Sequence, residues 1–106
     1  MDLCGKKLGL LIAAKPGTPP FACGLGLAKQ ARKRGVTVYL YCIDDAVTGL
    51  DDPTLRNLQK EQGVHLYACA YEAQRRDLEL GDNAIFAGLS IVSDLISATD
   101  RFVAFT

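Results

Sequence analysis

Tryptophan is absent, methionine and histidine occur once each, and twelve basic residues are cancelled by twelve acidic ones in a chain of 106 residues. With no net field to gather phosphates and no indole to stack on bases, direct binding of nucleic acid is a poor fit. Nor does any apolar run approach the roughly eighteen residues needed to span a membrane. The most apolar late stretch is interrupted by Ser90, Ser93 and Asp94. A soluble protein is expected, with neither nucleic acid nor membrane as a direct partner.

Paired cysteines are also missing. The four cysteines stand at 4, 23, 42 and 69, too far apart for Cys-x-x-Cys motifs, and His65 alone cannot complete a Cys/His cage. No structural zinc, and no other metal or cofactor, is implied. Nearly half of the chain is apolar (49%), enough for a core that does not depend on disulfides. The cysteines are therefore read as reduced thiols in a cytoplasm. Lys6-Lys7 and the apolar run after them superficially resemble a signal peptide, but cleavage there would remove a strand that the domain needs.

What is present is an alternation of short apolar runs and amphipathic stretches. The run LGLLIAA at 8–14, closed by Lys15-Pro16-Gly17, reads as a strand buried on both faces. Thr18 and the prolines at 19 and 20 suit a helix start, Phe21, Leu25 and Ala28 recur at helical spacing, and Gly35 stops the helix. VTVYLYC at 36–42 predicts a second strand, 53–62 a helix closed by Gly63, and VHLYACA at 64–70 a third strand. A charged helix over 72–77, a brief strand at 84–86, a helix marked by Leu89, Val92, Leu95 and Ile96, and a last strand at 101–105 follow. This order implies one domain over 1–106. Its architecture is a three-layer open α/β sheet of about five strands, mostly parallel and flavodoxin-like, with helices on both faces.

Ligands of such sheets bind beyond the carboxyl ends of the strands. That rule selects the loops at 15–20 and 43–50, the stretch 69–72 and the turn at Gly88. Cys69 ends the third strand, and a helix start and the charges of Arg75 and Arg76 nearby would favour its thiolate. Against this stands the frequency with which free cysteine simply fills a core. Cys42 also ends a strand and Cys23 lies early in the first helix, but packing is the better reading of both, and Cys4 has no assigned role. His65 is four strand residues from Cys69, roughly 13 Å at about 3.3 Å per residue, too far to act as its base. The glycines of PGTPPFACGLG lack the pattern of a phosphate loop or dinucleotide fingerprint and are read as turn formers. Asp44-Asp45 is read as a turn, and Lys29, Arg32, Lys33 and Arg34 as a solvated helix face.

Three stretches carry a resemblance: LLIAAKPGTPP leading into GLGLAKQARKRGVTVYLY, then GVHLYACAYEAQRR, and finally AGLSIVSDLISATDRFVAF. Together they resemble the DsrE/DsrF-like family, which includes TusD/DsrE-type sulfur-relay subunits of sulfur oxidation and tRNA thiolation. The resemblance implies that Cys69 carries sulfane sulfur as a persulfide and passes it to a partner protein thiol, a TusA-like carrier for example. It also implies a sulfurtransferase without cofactor, assembled as a homotrimer or homohexamer. Gly88 and Asp100 are fold markers on this reading. Many relatives have Arg-Gly after the cysteine, where this chain has Arg75-Arg76-Asp77. Two other readings stay open, a non-catalytic binding or assembly module and a redox protein pairing Cys69 with Cys42 or Cys23. An exposed Cys69 favours relay, a buried one the binding module, and a close second sulfur the redox protein.

Overall fold

A computed structural model of the chain describes residues 3–78, 81–82 and 84–106. Strand β1 (Lys7–Ile12) leads into helix α1 (Pro19–Lys33), and β2 (Thr37–Cys42) into a 3₁₀ helix (Asp44–Gly49) and α2 (Pro53–Gln59). Then come β3 (Val64–Cys69), α3 (Ala70–Arg75), β4 (Ile85–Ala87), α4 (Ser90–Ala98) and β5 (Arg101–Phe105). All pairings are parallel, and the five strands lie in the order β4-β3-β2-β1-β5. The expected open parallel sheet is thus present.

Local chemistry explains the punctuation. Helix α1 carries proline in its first turn, where a missing N–H costs nothing. Thr18 occupies the position before it, but its hydroxyl donates back to the Lys15 carbonyl at 2.6 Å instead of capping the helix. At α2 the cap is Asp52, whose carboxylate accepts from the N–H groups of Thr54 and Leu55 at 2.9 and 3.2 Å. Gly35 and Gly63 precede β2 and β3 with φ of 79° and 92°, a left-handed backbone that other residues adopt only with strain. Arg32 leaves the expected solvated face and donates to the Val36 carbonyl at 2.8 Å. Asp100 clamps the last strand to the first. Its N–H donates to the Lys7 carbonyl and its carboxylate accepts from the Lys7 N–H, both at 2.8 Å.

The two faces of the sheet are unequally covered. The connections from β1 through β4 all step across the sheet in one direction, and right-handed crossovers put their helices on the same face. Gly24 of α1 accordingly lies beside Ile12 and Phe105. Along this face Leu10, Ile12, Val38, Leu40, Cys42, Leu66 and Ala68 are at most 4% exposed and make the core. Only the return from β4 to β5 crosses the opposite face, where Thr99 and Phe102 sit over Gly9. That face holds Tyr39, Tyr41, His65, Tyr67 and Cys69, since side chains alternate along a strand. It is open at the amino end, where Tyr39 is half-buried and His65 exposed, and closed at the carboxyl end. Of the face expected on α4, only Leu95 is buried, whereas Leu89 and Ile96 are exposed. One short helix cannot cover a five-stranded sheet.

Candidate functional site around Cys69

Cys69 is the last residue of β3 and the residue immediately before α3, which begins at Ala70, two residues earlier than the sequence implies. Nothing separates the strand from the helix, so the sulfur is set at the corner where one becomes the other. The side chain is buried, 2% exposed. The helix it precedes has only six residues, so the dipole at its start is weaker than that of a long helix.

The two arginines expected to draw out a thiolate are engaged elsewhere. Arg75 donates to Glu72 at 2.9 Å, and Arg76 reaches both Glu72 at 3.1 Å and Asp45 at 2.9 Å. Hydrogen bonds from Arg75 and then Arg76 hold the Glu72 carboxyl below the usual carboxylate range. Two cations and two carboxylates cancel, and the cluster ties α3 to the 3₁₀ helix after β2. Asp45 is therefore a structural partner of Arg76. Asp44, at φ 52°, turns the chain after β2.

A residue that the sequence did not single out reaches the same corner. Tyr41 is fully buried in β2, and its hydroxyl donates to the carbonyl of Ala87 in β4 at 3.1 Å. Ala87 pairs with Cys69, while Tyr41 pairs with Tyr67, two residues before it on the same face. To reach Ala87 from β2, the phenol must cross β3 beside the Cys69 side chain. Burial, and next a hydrogen-bonding contact with the Cys69 sulfur, raise the Tyr41 phenol above its ordinary range. A tyrosine in the middle of a buried parallel strand needs a partner for its hydroxyl, and YLYC held that signal.

The other thiols are not brought to this corner as a redox partner would be. Cys42 pairs with Ala68, so it points to the opposite face from Cys69. Burial pushes its thiol up to about 12. Cys23 and Cys4 are exposed, and none of the four is in a disulfide. His65 stacks on Tyr39 with ring centroids 4.7 Å apart and stays four residues down the strand from Cys69. Among the described residues no cluster of three metal-ligating side chains occurs, and no helix is long and apolar enough to cross a membrane.

Two cavities lie away from the sulfur. One, of about 530 Å³, opens at the amino end of the sheet, with Leu8, Leu27 and Val36 beneath Lys6, Lys7 and Arg34. The other, of about 540 Å³, lies beside the 3₁₀ helix, between Val47 and Leu78. Cys69 lines neither. Instead, exposed apolar side chains stand near it along the chain: Tyr71 two residues on, Ile85 opposite Tyr67, and Leu89 two residues after Ala87.

In fold, the chain is similar to the ychN protein from E. coli, known from a crystal structure, with a TM-score of 0.76 over 94% of this chain and 98% of that one. Sequence identity is 17%, so the likeness is one of architecture, an open parallel sheet. No family model matches the sequence, and no curated protein matches it significantly.

Proposed function

We propose that the chain is a sulfur-relay protein in which Cys69 holds sulfane sulfur as a persulfide and hands it to a thiol of a partner protein. The observation that carries this reading is the placement of the cysteine. Cys69 ends a parallel strand at the carboxyl edge, on the thinly covered face, paired with Ala87, whose carbonyl accepts from the buried Tyr41 hydroxyl. The DsrE-like architecture supports it. The Cys69 thiolate attacks the outer sulfur of a donor persulfide, a new S–S bond forms, and the donor leaves with the electron pair as a thiolate. An acceptor thiolate then attacks the outer sulfur of Cys69–S–SH and releases Cys69 as thiolate. The exchange is neutral in electrons and needs neither metal nor cofactor.

Exposed Tyr71, Ile85 and Leu89 provide an apolar surface for a donor or acceptor such as a TusA-like carrier, or for further copies in a homotrimer or homohexamer. The exposure of Cys69, only 2%, favours a second reading, a binding or assembly module without transfer chemistry. Relay requires the corner to open when a partner docks.

Intact-mass measurement after incubation with a small persulfide donor separates the two. Expected is a gain of one sulfur atom that persists in Cys23→Ser and Cys42→Ser and disappears in Cys69→Ser. No gain in the parent chain, with Cys69 inert to alkylation, would overturn relay and leave the assembly module.

A further inference from the structure

We infer that Tyr41 is the hydrogen-bond donor that holds the Cys69 sulfur as a thiolate. The inference rests on the relay reading and adds a residue to it.

Relay needs a thiolate, and burial opposes one. The usual remedies are missing here. From α3, Arg75 and Arg76 are neutralised by Glu72 and by Asp45 of the 3₁₀ helix. Helix α3 is too short to supply much field, and His65 is out of reach. Of the other titratable groups around the corner, Cys42 lies on the opposite face, and Tyr67 sits two residues back along β3. That leaves the Tyr41 hydroxyl, buried, on the same face as the sulfur and bonded to the carbonyl of Ala87, the residue that pairs with Cys69.

A phenol has one hydrogen to donate and lone pairs to accept with. While Cys69 is a thiol, the Tyr41 hydrogen is given to the Ala87 carbonyl at 3.1 Å. When the thiol loses its proton to solvent, rotation of the O–H about the C–O bond re-aims the same hydrogen at the sulfur anion. No bond to carbon or sulfur breaks, and the ring does not move. Tyr41 stays protonated throughout, and in a dry site such a hydrogen bond is stronger than in water. The Ala87 carbonyl gives up its donor in exchange, which ties the charge of the sulfur to the edge strand β4.

The test is the pH dependence of Cys69 alkylation, read by mass in a Cys4→Ser, Cys23→Ser background and compared with Tyr41→Phe and Tyr67→Phe in that background. Tyr41→Phe removes one oxygen and keeps the ring, and thermal melting reports whether the variant is folded. Expected is a midpoint about one pH unit higher and alkylation about tenfold slower near pH 7 in Tyr41→Phe, the size carried by a hydrogen bond to a charged group. Tyr67→Phe should follow the background profile. Superimposable profiles for Tyr41→Phe and the background, with sulfur still gained on Cys69, would overturn the donor role and leave relay standing. Absence of sulfur gain in the background itself would overturn relay, whatever the alkylation profiles show.

Discussion

Cys42 and Cys69 end neighbouring strands and are almost equally hidden, 0% and 2% exposed, yet they belong to different environments. Cys42 pairs with Ala68, one residue short of Cys69, and that single step in register sends the two sulfurs to opposite faces. Cys42 faces the helix-covered core, where burial pushes its thiol up to about 12. Cys69 faces the side crossed by one helix, at the start of a turn of helix and paired with Ala87, whose carbonyl accepts from the buried Tyr41 hydroxyl. Equal burial therefore hides unequal surroundings.

The contrast between the two faces can be broken or sharpened by substitution. The largest effect is expected on the covered face. Leu40→Ala, at a site with no exposure, should lower stability by about 2–5 kcal/mol, read from the urea midpoint. Next comes the alkaline response of Cys42. Its folded value, about 12, lies above that of a free thiol, so its stabilising contribution is intact below the unfolded value and is lost as pH rises through the interval between them. Between about pH 9 and about pH 11 the melting temperature of the parent should fall more steeply than that of Cys42→Ala. Equal slopes would mean that Cys42 is not the buried acid its position implies. Tyr41, raised chiefly by burial, adds most of its loss to both proteins; the part due to Cys42 is the smallest of its causes and goes with the substitution. The smallest effect is expected on α4, where Ile96→Ala at a half-exposed position should stay within about 0.5 kcal/mol. A drop several times larger would show that the outer side of α4 is covered in solution, and the two faces would then be more alike than the single chain implies.

The strands were legible because a parallel sheet demands continuous apolar runs, and LGLLIAA, VTVYLYC and VHLYACA stand out between stop signals such as Gly35 and Gly63. The position of Cys69 at the end of a strand was legible for the same reason. Its surroundings were not. Arg75 and Arg76 look like free cations in sequence, and only folding shows Glu72 one turn away and Asp45, 31 residues distant, taking them up. The start of α3 at Ala70 was hidden because Ala70 and Tyr71 suit a strand as well as a helix. The reach of Tyr41 over β3 to Ala87 depends on strand order and register, which periodicity does not encode. Asp52 was missed as a cap although Asp-Pro-Thr before a helix is a recognisable start.

The clamp of Asp100 on Lys7 joins residues 93 apart in the chain, and that separation bears on how the molecule is made. Strand β1 is central in the finished sheet, but β5, its neighbour on one side, leaves a ribosome after β1 through β4. While the chain is being synthesised, β1 through β4 can pair and α1 and α2 can pack, leaving β1 as an unprotected edge lined by Leu8, Leu10 and Ile12. Closing a loop of this length is the slowest kind of contact to form, and an open apolar edge is the usual template for aggregation. The nascent chain thus carries a vulnerable strand while β2 through β4 are made, until β5 emerges to protect it.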